Sequence, residues 1–320
     1  MADEPRFIGP VERLLYLSTL PGLSSSSPAE LASIGQHVRE RSFSRGEHLL
    51  QEGAPAESVF FLVEGSVTIL RQGQVLQRVE PPFGVGFLPV LSEDPEGVTA
   101  RADSKVLALE LAADDLIDAM EDSFSLLESG VRQLSRQLAE AQAQLESRGL
   151  LERDEPLETE YPEAPLDLVQ RLTLFRRRGP YMHASLDSMA ELVRRAAEVR
   201  YEPGVTLWTE GDAAAWGVQI IHGVVTCSGK QPPRAFRMGP DSVLGVVEAN
   251  AQLPRSYTAV TETRVVALRM ESETGFDIIE DDAELGLALL RFLATLINRL
   301  YVRLAADGPG LLHALPAPQT

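Results

Sequence analysis

One phrase of this sequence occurs twice, and the repeat constrains the fold more than any other feature. Its positions recur at one constant offset: Phe43, Gly46, Leu49, Glu52, Gly53 and Gly65 correspond to Tyr201, Gly204, Leu207, Glu210, Gly211 and Gly223. Recurring glycines are typical of turns that need a positive φ or a close backbone approach. The apolar residues that alternate between them are typical of strands around a closed interior. The repeat therefore predicts two copies of one β-rich module.

The repeat continues beyond this phrase with a slip of one residue, so that Pro95, Thr99, Val106 and Leu109 correspond to Pro254, Thr258, Val265 and Leu268. Residues 244–261 read as a strand end, a glycine turn, a short helix and a second strand entered through Pro254, Arg255 and Ser256. Gly245 permits close approach, the helix offers free N–H groups, and Arg255 supplies positive charge. This stretch is a candidate anion site.

The arrangement resembles the phosphate-binding cassette of cyclic nucleotide-binding domains, with the pattern Phe-Gly-Glu followed by Pro-Arg-x-Ala-Thr. The whole frame resembles two such domains, as found singly in the bacterial catabolite activator family and in tandem in the regulatory subunit of cyclic AMP-dependent protein kinase. The resemblance covers roughly residues 15–145 and 170–300. It implies a mainly β fold with flanking α-helices: two tandem β-barrels of the jelly-roll type (a double-stranded β-helix), each followed by a long helix.

The resemblance also implies which residues would contact a ligand. In the second module these are Gly245, Val246, Val247, Arg255, Ser256 and Thr258, and in the first they are Gly84, Val85, Glu96, Gly97 and Thr99. In the family the cassette arginine meets the phosphate and the cassette glutamate accepts from the ribose hydroxyl. Only Arg255 keeps its role here, because valine stands at the glutamate position in both modules and Glu96 stands where the first arginine belongs.

These departures weaken the predicted nucleotide sites. A missing hydroxyl acceptor costs about 1–3 kcal/mol, and two like charges ~4 Å apart repel by about 4 kcal/mol at an effective dielectric of 20. We therefore predict no nucleotide in the first module, while cAMP or cGMP bound through Arg255 stays an alternative for the second. The interpretation favoured from sequence is structural: Arg255 caps its own short helix or pairs with Glu248 or Glu262.

The segment after the first module predicts a long helix that starts at Asp114 and Asp115. It carries apolar residues in a heptad pattern, namely Leu127, Val131, Leu134, Leu138, Ala141 and Leu145. This stripe packs either on its own barrel or against a second copy in a coiled coil. Because the stripe runs beyond the side of one barrel, we expect it to be a dimer seam and the protein to be a homodimer.

Composition suggests where the modules begin and end. Residues 151–165 are acidic and contain prolines, which predicts an extended, solvated linker. The predicted partition is a first domain at 1–113, the long helix at 114–150, the linker at 151–165, a second domain with its C-terminal helix at 166–304, and a flexible tail at 305–320. Neither the linker nor the tail offers a helix-turn-helix, which argues against a transcription factor.

Charge and motifs narrow the function classes. A formal net charge of −18 opposes binding to nucleic acid or to anionic membranes. There is no signal-peptide pattern and no apparent bilayer-length apolar run, so we expect a cytoplasmic protein. The arginine-rich basic content suggests a bacterial source.

Cys227 is the single cysteine and is expected to fill a core. The histidines have no metal-ligand spacing, and no catalytic motif is present, so we expect no metal, no other cofactor and no enzyme.

These features together predict a non-catalytic regulatory or scaffolding adaptor that acts through contacts with a protein partner. The alternative is a receptor for a cyclic nucleotide or another small anion, which binds through Arg255 and signals to a partner protein.

Overall fold

The computed structural model describes residues 9–24, 26–92, 97–151, 153, 155–177, 179–182, 184–230 and 233–307. Each copy of the repeat has the same order of elements: two helices, six strands, a short helix, two strands and two further helices. The first copy consists of α1 (Pro10–Leu17), α2 (Pro28–His37), β1 (Arg39–Phe43), β2 (His48–Leu50), β3 (Ser58–Glu64), β4 (Val67–Arg71), β5 (Gln74–Val79), β6 (Phe83–Val85), α3 (Phe87–Ser92), β7 (Thr99–Ala102), β8 (Val106–Ala112), α4 (Ala113–Asp122) and α5 (Phe124–Ser147).

The second copy repeats this order. It consists of α6 (Leu168–Arg177), α7 (Leu186–Arg195), β9 (Ala197–Tyr201), β10 (Thr206–Trp208), β11 (Trp216–His222), β12 (Val225–Lys230), β13 (Pro233–Met238), β14 (Val243–Leu244), α8 (Val246–Ala251), β15 (Thr258–Thr261), β16 (Val265–Glu271), α9 (Ser272–Asp281) and α10 (Ala283–Ala306).

The sheets confirm the predicted tandem barrels. The first barrel has two four-stranded antiparallel sheets with the orders β1-β8-β3-β6 and β2-β7-β4-β5. The second has the orders β9-β16-β11-β14 and β10-β15-β12-β13, which match the first strand for strand. Apolar side chains from both sheets fill each interior, led by Phe60, Leu62 and Val67 in the first barrel and by Trp208, Ile220 and Val225 in the second.

The glycine frame has the physical basis that the sequence indicates. Gly65 and Gly223 occupy the same turn in the two barrels, with φ of +91° and +89°. A Cβ at Gly65 would lie 2.4 Å from the carbonyl oxygen of Lys105, and one at Gly223 would lie 2.1 Å from that of Arg264. Both turns therefore require glycine for conformation and for space, since L-residues strain in this region and real Cβ atoms never come so close to backbone.

The helix after each barrel is broken where the sequence predicts one continuous helix. Ser123 separates α4 from α5 in an extended conformation, and its Oγ accepts from the backbone N–H of Leu126 at 3.3 Å. Asp282 separates α9 from α10 in the same way, and its Oδ1 accepts from the N–H of Glu284 at 3.1 Å. Short polar side chains at these positions start a new helix by supplying the acceptor that its first N–H groups lack.

The heptad stripe of α5, predicted to be a dimer seam, is a buried surface within the single chain. Its members are only 0–5% exposed within a single chain: Leu127, Val131, Leu134, Leu138, Ala141 and Leu145. These six side chains are thus covered within a single chain, as in a helix packed on its own fold. The coiled-coil dimer through this stripe stays a prediction.

The chain forms two compact units that divide both long helices. One unit is Met1–Gly130 with Ala294–Thr320, and the other is Val131–Leu293. The helices α5 and α10, each 24 residues long, begin in the unit of their own barrel and end in the other unit. The predicted domain boundaries at residues 113, 150, 165 and 304 differ from this division, because they divide neither α5 nor α10 between two units. The predicted flexible tail begins inside α10, and residues 308–320 lie outside the described residues.

Helix α10 differs from the expectation that no apolar run is long enough for a bilayer. By length and composition alone it could cross a membrane. Several of its apolar side chains, among them Leu285, Leu290 and Ile297, are fully buried in the chain. A core helix of a soluble protein has this same composition.

The linker is extended in its described part, and several of its residues there contact the second barrel. Residues 155–164, which we call the strap, contain no helix or strand and leave most of their side chains exposed. Even so, Arg200 of β9 donates to the carbonyl oxygens of Pro162 at 2.7 Å and Ala164 at 2.9 Å. The strap is therefore a bound segment rather than a freely solvated one.

In the first unit, Glu30 joins the start of α2 to the break between α4 and α5. Its Oε2 accepts from the N–H of Ser27 at 2.7 Å, and its Oε1 accepts from the hydroxyls of Ser123 and Ser125. These bonds, with that of Ser123 the largest cause, lower the pKa of Glu30 from 4.5 to about 2. A carboxyl with a lowered folded-state pKa stabilises the fold above its unfolded pKa, and this contribution is lost as the pH falls toward 2.

We expect Glu30→Gln to destabilise the first unit at pH 7 by at most about 1 kcal/mol, because the side chain is largely solvated and Gln keeps part of the helix cap. The difference from wild type should shrink steadily below pH 4.5 and vanish near pH 2. Urea unfolding followed by far-UV circular dichroism at several pH values measures it. Glu12→Gln, the same change at the start of α1, is the control without serine donors. A difference that stays constant with pH would contradict this role.

Candidate functional site

The cassette of the second barrel is built around Gly245, which precedes α8. Gly245 has φ +75° and ψ −2°, a left-handed conformation that turns the chain from β14 into the helix. A Cβ here would lie 2.2 Å from Nη1 of Arg255 and 3.0 Å from Cη2 of Trp208. The absence of a side chain thus makes room for the guanidinium of Arg255.

Arg255 is buried and bonds to the backbone of its own barrel. It is 2% exposed, and its Nη1 donates to the carbonyl oxygen of Gly245 at 2.8 Å while its Nη2 donates to that of Trp216. The guanidinium carbon lies 4.1 Å from the ring centroid of Trp208 and 5.3 Å from that of Trp216. Burial lowers the pKa of Arg255, partly offset by the carboxylate of Glu248. The positive charge is held by carbonyl oxygens and two indole rings.

The acids suggested from sequence as partners of Arg255 bind other groups. Glu248, which is 8% exposed, accepts from the hydroxyl of Ser256 at 2.6 Å. Glu262 accepts from both Nε and Nη2 of Arg237 at 2.8 Å, outside the cassette. The expected pairing of Arg255 with either acid is therefore wrong as a direct contact. Sequence patterns reveal candidate acids but not backbone carbonyls, which are the acceptors found here.

Val246, which stands at the family's glutamate position in the second barrel, has a packing role. Val246 lies over Gly217 of β11. A Cβ added to Gly217 would lie 2.3 Å from Cγ2 of Val246. Val247 is half-buried in the same first turn of α8. This part of the cassette therefore presents aliphatic carbon where the resemblance implies a hydroxyl acceptor.

Arginine and aromatic side chains also contact one another in the second barrel beyond the cassette, although Arg153 is partly exposed to solvent. Tyr257 contacts the ring of Phe236 with centroids 5.4 Å apart, and the guanidinium of Arg153 lies 3.6 Å from the Phe236 centroid. Arg153 and Arg234 both form ion pairs with Glu146 near the end of α5. Burial is the largest cause of the lowered pKa of both arginines. These side chains are held together by cation–π and aromatic contacts.

Cys227 lies in the interior of the second barrel and is fully buried. Burial raises its pKa to about 12. A thiol that remains protonated at neutral pH is a poor nucleophile, which agrees with the core role expected from sequence.

The cassette of the first barrel is apolar in its described part. Gly84 of β6 lies beneath the ring of Phe87, with a Cβ position 2.4 Å from its Cε2. Val85 is 1% exposed and belongs to the barrel core. Gly97 has φ +62°, a turn conformation. Glu96, the acid predicted at the arginine position, and Pro95 beside it lie outside the described residues.

Thr99 and Thr258 each fix a turn of their own barrel. The sequence analysis had predicted instead that they contact a ligand. The Oγ1 of Thr99 accepts from the N–H of Glu52 at 3.2 Å, and that of Thr258 accepts from the N–H of Glu210 at 3.0 Å. Each bond joins the repeated Glu-Gly turn to the strand after the cassette. The paired recurrence of Glu and Thr in the repeat was the signal that could have identified this turn.

Long helices cap the cassette helix within each unit. In the second unit, Arg132 and Arg136 of α5 donate to the carbonyl oxygens of Asn250 at 3.2 Å and Ala251 at 3.0 Å, at the end of α8. In the first unit, Nδ2 of Asn298 from α10 donates to the hydroxyl of Ser92 at 2.9 Å, at the end of α3. The two arginines satisfy carbonyl groups that α8 leaves without partners at its C-terminus, whereas the bond from Asn298 joins two side chains.

Comparison with known proteins agrees with this fold. Residues 40–123 match the family model of the cyclic nucleotide-binding domain. The chain is 28% identical over 141 residues to glutaminase 2 of Bradyrhizobium diazoefficiens, covering 42% of this chain and 22% of that protein. It is 28% identical over 101 residues to the cAMP-dependent protein kinase regulatory subunit of Emericella nidulans, covering 31% of this chain and 24% of that protein. The chain thus spans about a quarter of the length of these curated relatives.

Among solved structures, the chain is similar to the regulatory subunit of a cAMP-independent protein kinase A from Trypanosoma brucei. The identity is 15% and the TM-score is 0.35, with 88% of this chain and 91% of that chain covered. The part of the chain that matches the family model lies in the first barrel and the helix after it, and the second barrel has the same strand order as the first. Among the described residues, no group of three or more His, Cys, Asp and Glu side chains could hold a metal ion.

Proposed function

We propose that this protein is a non-catalytic regulatory adaptor of the cytoplasm that acts through contacts with a partner protein and holds no cyclic nucleotide in either barrel. The observation that carries the proposal is the state of Arg255. Both of its Nη groups bond to carbonyl oxygens of its own barrel, and its guanidinium carbon lies 4.1 Å from the ring centroid of Trp208. A phosphate would have to displace these bonds, and each carbonyl deprived of its donor costs about 1–3 kcal/mol.

The first barrel supports the same proposal by a different route. Its described cassette residues, 83–92 and 97–99, include no charged side chain. The ring of Phe87 covers Gly84, and the aliphatic core reaches Val85. A phosphate buried there would have no counter-charge among these residues, and burial of an uncompensated charge is strongly unfavourable.

A regulatory role agrees with the names of similar proteins. The relative from Emericella nidulans and the solved structure from Trypanosoma brucei are both named regulatory subunits of protein kinases. A barrel whose interior is filled by its own side chains keeps its outer surface available for protein contacts. Function then resides in that surface rather than in a ligand pocket.

Titration with cAMP, cGMP and cyclic dinucleotides tests the proposal. A ligand present at 100 times its Kd would stabilise the fold by ~2.7 kcal/mol, which a melting shift readily detects. We expect no heat of binding, no change in Tm and no change in the fluorescence of Trp208 and Trp216 beside the cassette. Saturable micromolar binding to the native chain, lost in Arg255→Lys, would refute the proposal.

That refuting outcome would establish the alternative, a receptor that binds a cyclic nucleotide or another small anion through Arg255. One observation favours this alternative. The Nε of Arg255 is buried and has no hydrogen-bond partner among the described residues, so one donor of the guanidinium remains for an additional acceptor. Arg255→Lys is the informative variant because it keeps the charge and removes the planar fork that binds oxyanions.

A further inference from the structure

The second barrel holds the strap in the manner of a peptide-binding site. Arg200 provides the main contact: its Nη1 donates to the carbonyl oxygen of Pro162 at 2.7 Å and to the hydroxyl of Tyr161 at 3.2 Å, and its Nη2 donates to the carbonyl oxygen of Ala164 at 2.9 Å. Bonds to successive carbonyl groups hold an extended backbone whatever its side chains are.

A side-chain slot adds selectivity for an aromatic residue. The ring centroid of Tyr161 lies 4.0 Å from the guanidinium carbon of Arg264 and 5.5 Å from that of Arg200. The ring of His222 meets it edge-on, with centroids 5.2 Å apart, and Nδ1 of His222 bonds to the hydroxyl of Thr159 at 2.9 Å. Two cations and one imidazole around a phenol ring favour tyrosine over an aliphatic residue.

The other end of the strap is recognised by charge and by shape. Glu155 lies 3.8 Å from Arg237. Pro156 packs on Gly239. A Cβ added to Gly239 would lie 2.6 Å from the Cβ of Pro156. The strap carries four glutamates, and the surface beneath it contributes three arginines, Arg200, Arg237 and Arg264. Arg200 and Arg237 also pair with Glu198 and Glu262 of the barrel, so the attraction for the acidic strap is local and modest.

We propose that this face is a docking site for an extended acidic peptide of a partner protein in which tyrosine is followed by proline, and that the strap occupies it in cis. The site consists of Arg200, His222, Arg237, Gly239 and Arg264, and we call it the strap site. This proposal builds on the adaptor function by naming the chemistry of the partner. It is tested without nucleotide, so either proposal can fail while the other stands.

The contacts that hold the strap are weak enough for a free peptide to replace them. They are surface ion pairs, cation–π contacts and hydrogen bonds in contact with water, each individually weak. Leu157, the large aliphatic residue of the strap, is 61% exposed and anchors nothing. A tethered segment nevertheless competes at an effective concentration in the millimolar range, so the native chain should bind a free peptide only weakly.

The test uses a fluorescein-labelled peptide with the sequence of residues 155–164, EPLETEYPEA, titrated with the full chain and followed by anisotropy. In the chain carrying Tyr161→Ala the cis competitor is weakened, so this variant should bind the peptide at least ~10-fold more tightly than wild type. Adding Arg200→Ala should remove the gain. Adding Arg177→Ala instead, which deletes the same charge from α6, should leave it unchanged.

Equal weak binding by wild type and Tyr161→Ala, with both folded by circular dichroism, would overturn the proposal and make the strap a fixed part of the barrel. A second measurement applies to the native chain. Hydrogen exchange in residues 157–164 should accelerate with excess peptide and not with a peptide in which tyrosine is alanine. Unchanged exchange with both peptides would also overturn it.

Discussion

Replacing Arg255 by alanine is expected to destabilise the second barrel by about 3 kcal/mol. The change leaves the carbonyl oxygens of Gly245 and Trp216 without a donor, at about 1–3 kcal/mol for each unsatisfied group. It also opens a cavity beneath Trp208. Removal of a buried charge with an unpartnered Nε offsets part of this loss. The net value is large for a single substitution, although the residue holds no ligand in the proposed function.

The chain provides its own probe for this measurement. Its two tryptophans, Trp208 and Trp216, both lie against Arg255, so intrinsic fluorescence follows the second barrel and not the first. We expect the urea midpoint of this signal to fall by roughly 1–2 M in Arg255→Ala. In Arg255→Met, which restores volume but not hydrogen bonds, the loss should be about half as large. An unchanged midpoint in the alanine variant would mean that Arg255 contributes nothing to the fold.

Replacing Gly223 by alanine should be at least as damaging, because its turn excludes a side chain in two ways. The left-handed conformation at φ +89° costs an L-residue about 1–2 kcal/mol. A Cβ would also stand 2.1 Å from the carbonyl oxygen of Arg264, a backbone atom that cannot rotate away. The turn must therefore shift, and we expect a total loss of about 3–4 kcal/mol in tryptophan-monitored unfolding.

Gly204→Ala is the matched control in the same barrel. Gly204 has a similar φ of +83°, but nothing lies within 4 Å of its Cβ position. Its substitution should cost only the conformational part, about 1–2 kcal/mol. The difference between the two variants then measures the close approach alone. Equal losses would show that the contact with Arg264 relaxes at no cost.

Sequence reasoning succeeded where the physical cause lies in neighbouring residues. The recurring glycines mark turns because φ and local space are properties of the turn itself, and Gly65 and Gly223 confirm this. The start of α2 was predictable because Ser27 and Glu30 cap each other within four residues. The breaks at Ser123 and Asp282 were predictable in principle by the same capping chemistry, but the apolar heptad running past Ser123 obscured the first of them.

Sequence reasoning failed where a partner is distant or belongs to the backbone. Arg255 bonds to the carbonyl of Trp216, 39 positions away, and a carbonyl has no sequence signature. The strap reads as a solvated linker by composition, because its partner Arg200 lies 36 to 39 positions further along. The stripe of α5 was assigned to a dimer seam rather than to the core, although a heptad pattern shows only that a surface is buried and not which partner covers it.

The division of α5 and α10 between the two units limits how this chain can be taken apart. A cut in the acidic segment between the barrels would leave the N-terminal fragment without residues 294–306 and the C-terminal fragment without residues 131–147. Each fragment would then lack the donor that closes its cassette helix, Asn298 for Ser92 and Arg136 for Ala251. Each half of the chain would therefore lack part of the compact unit that contains its own barrel.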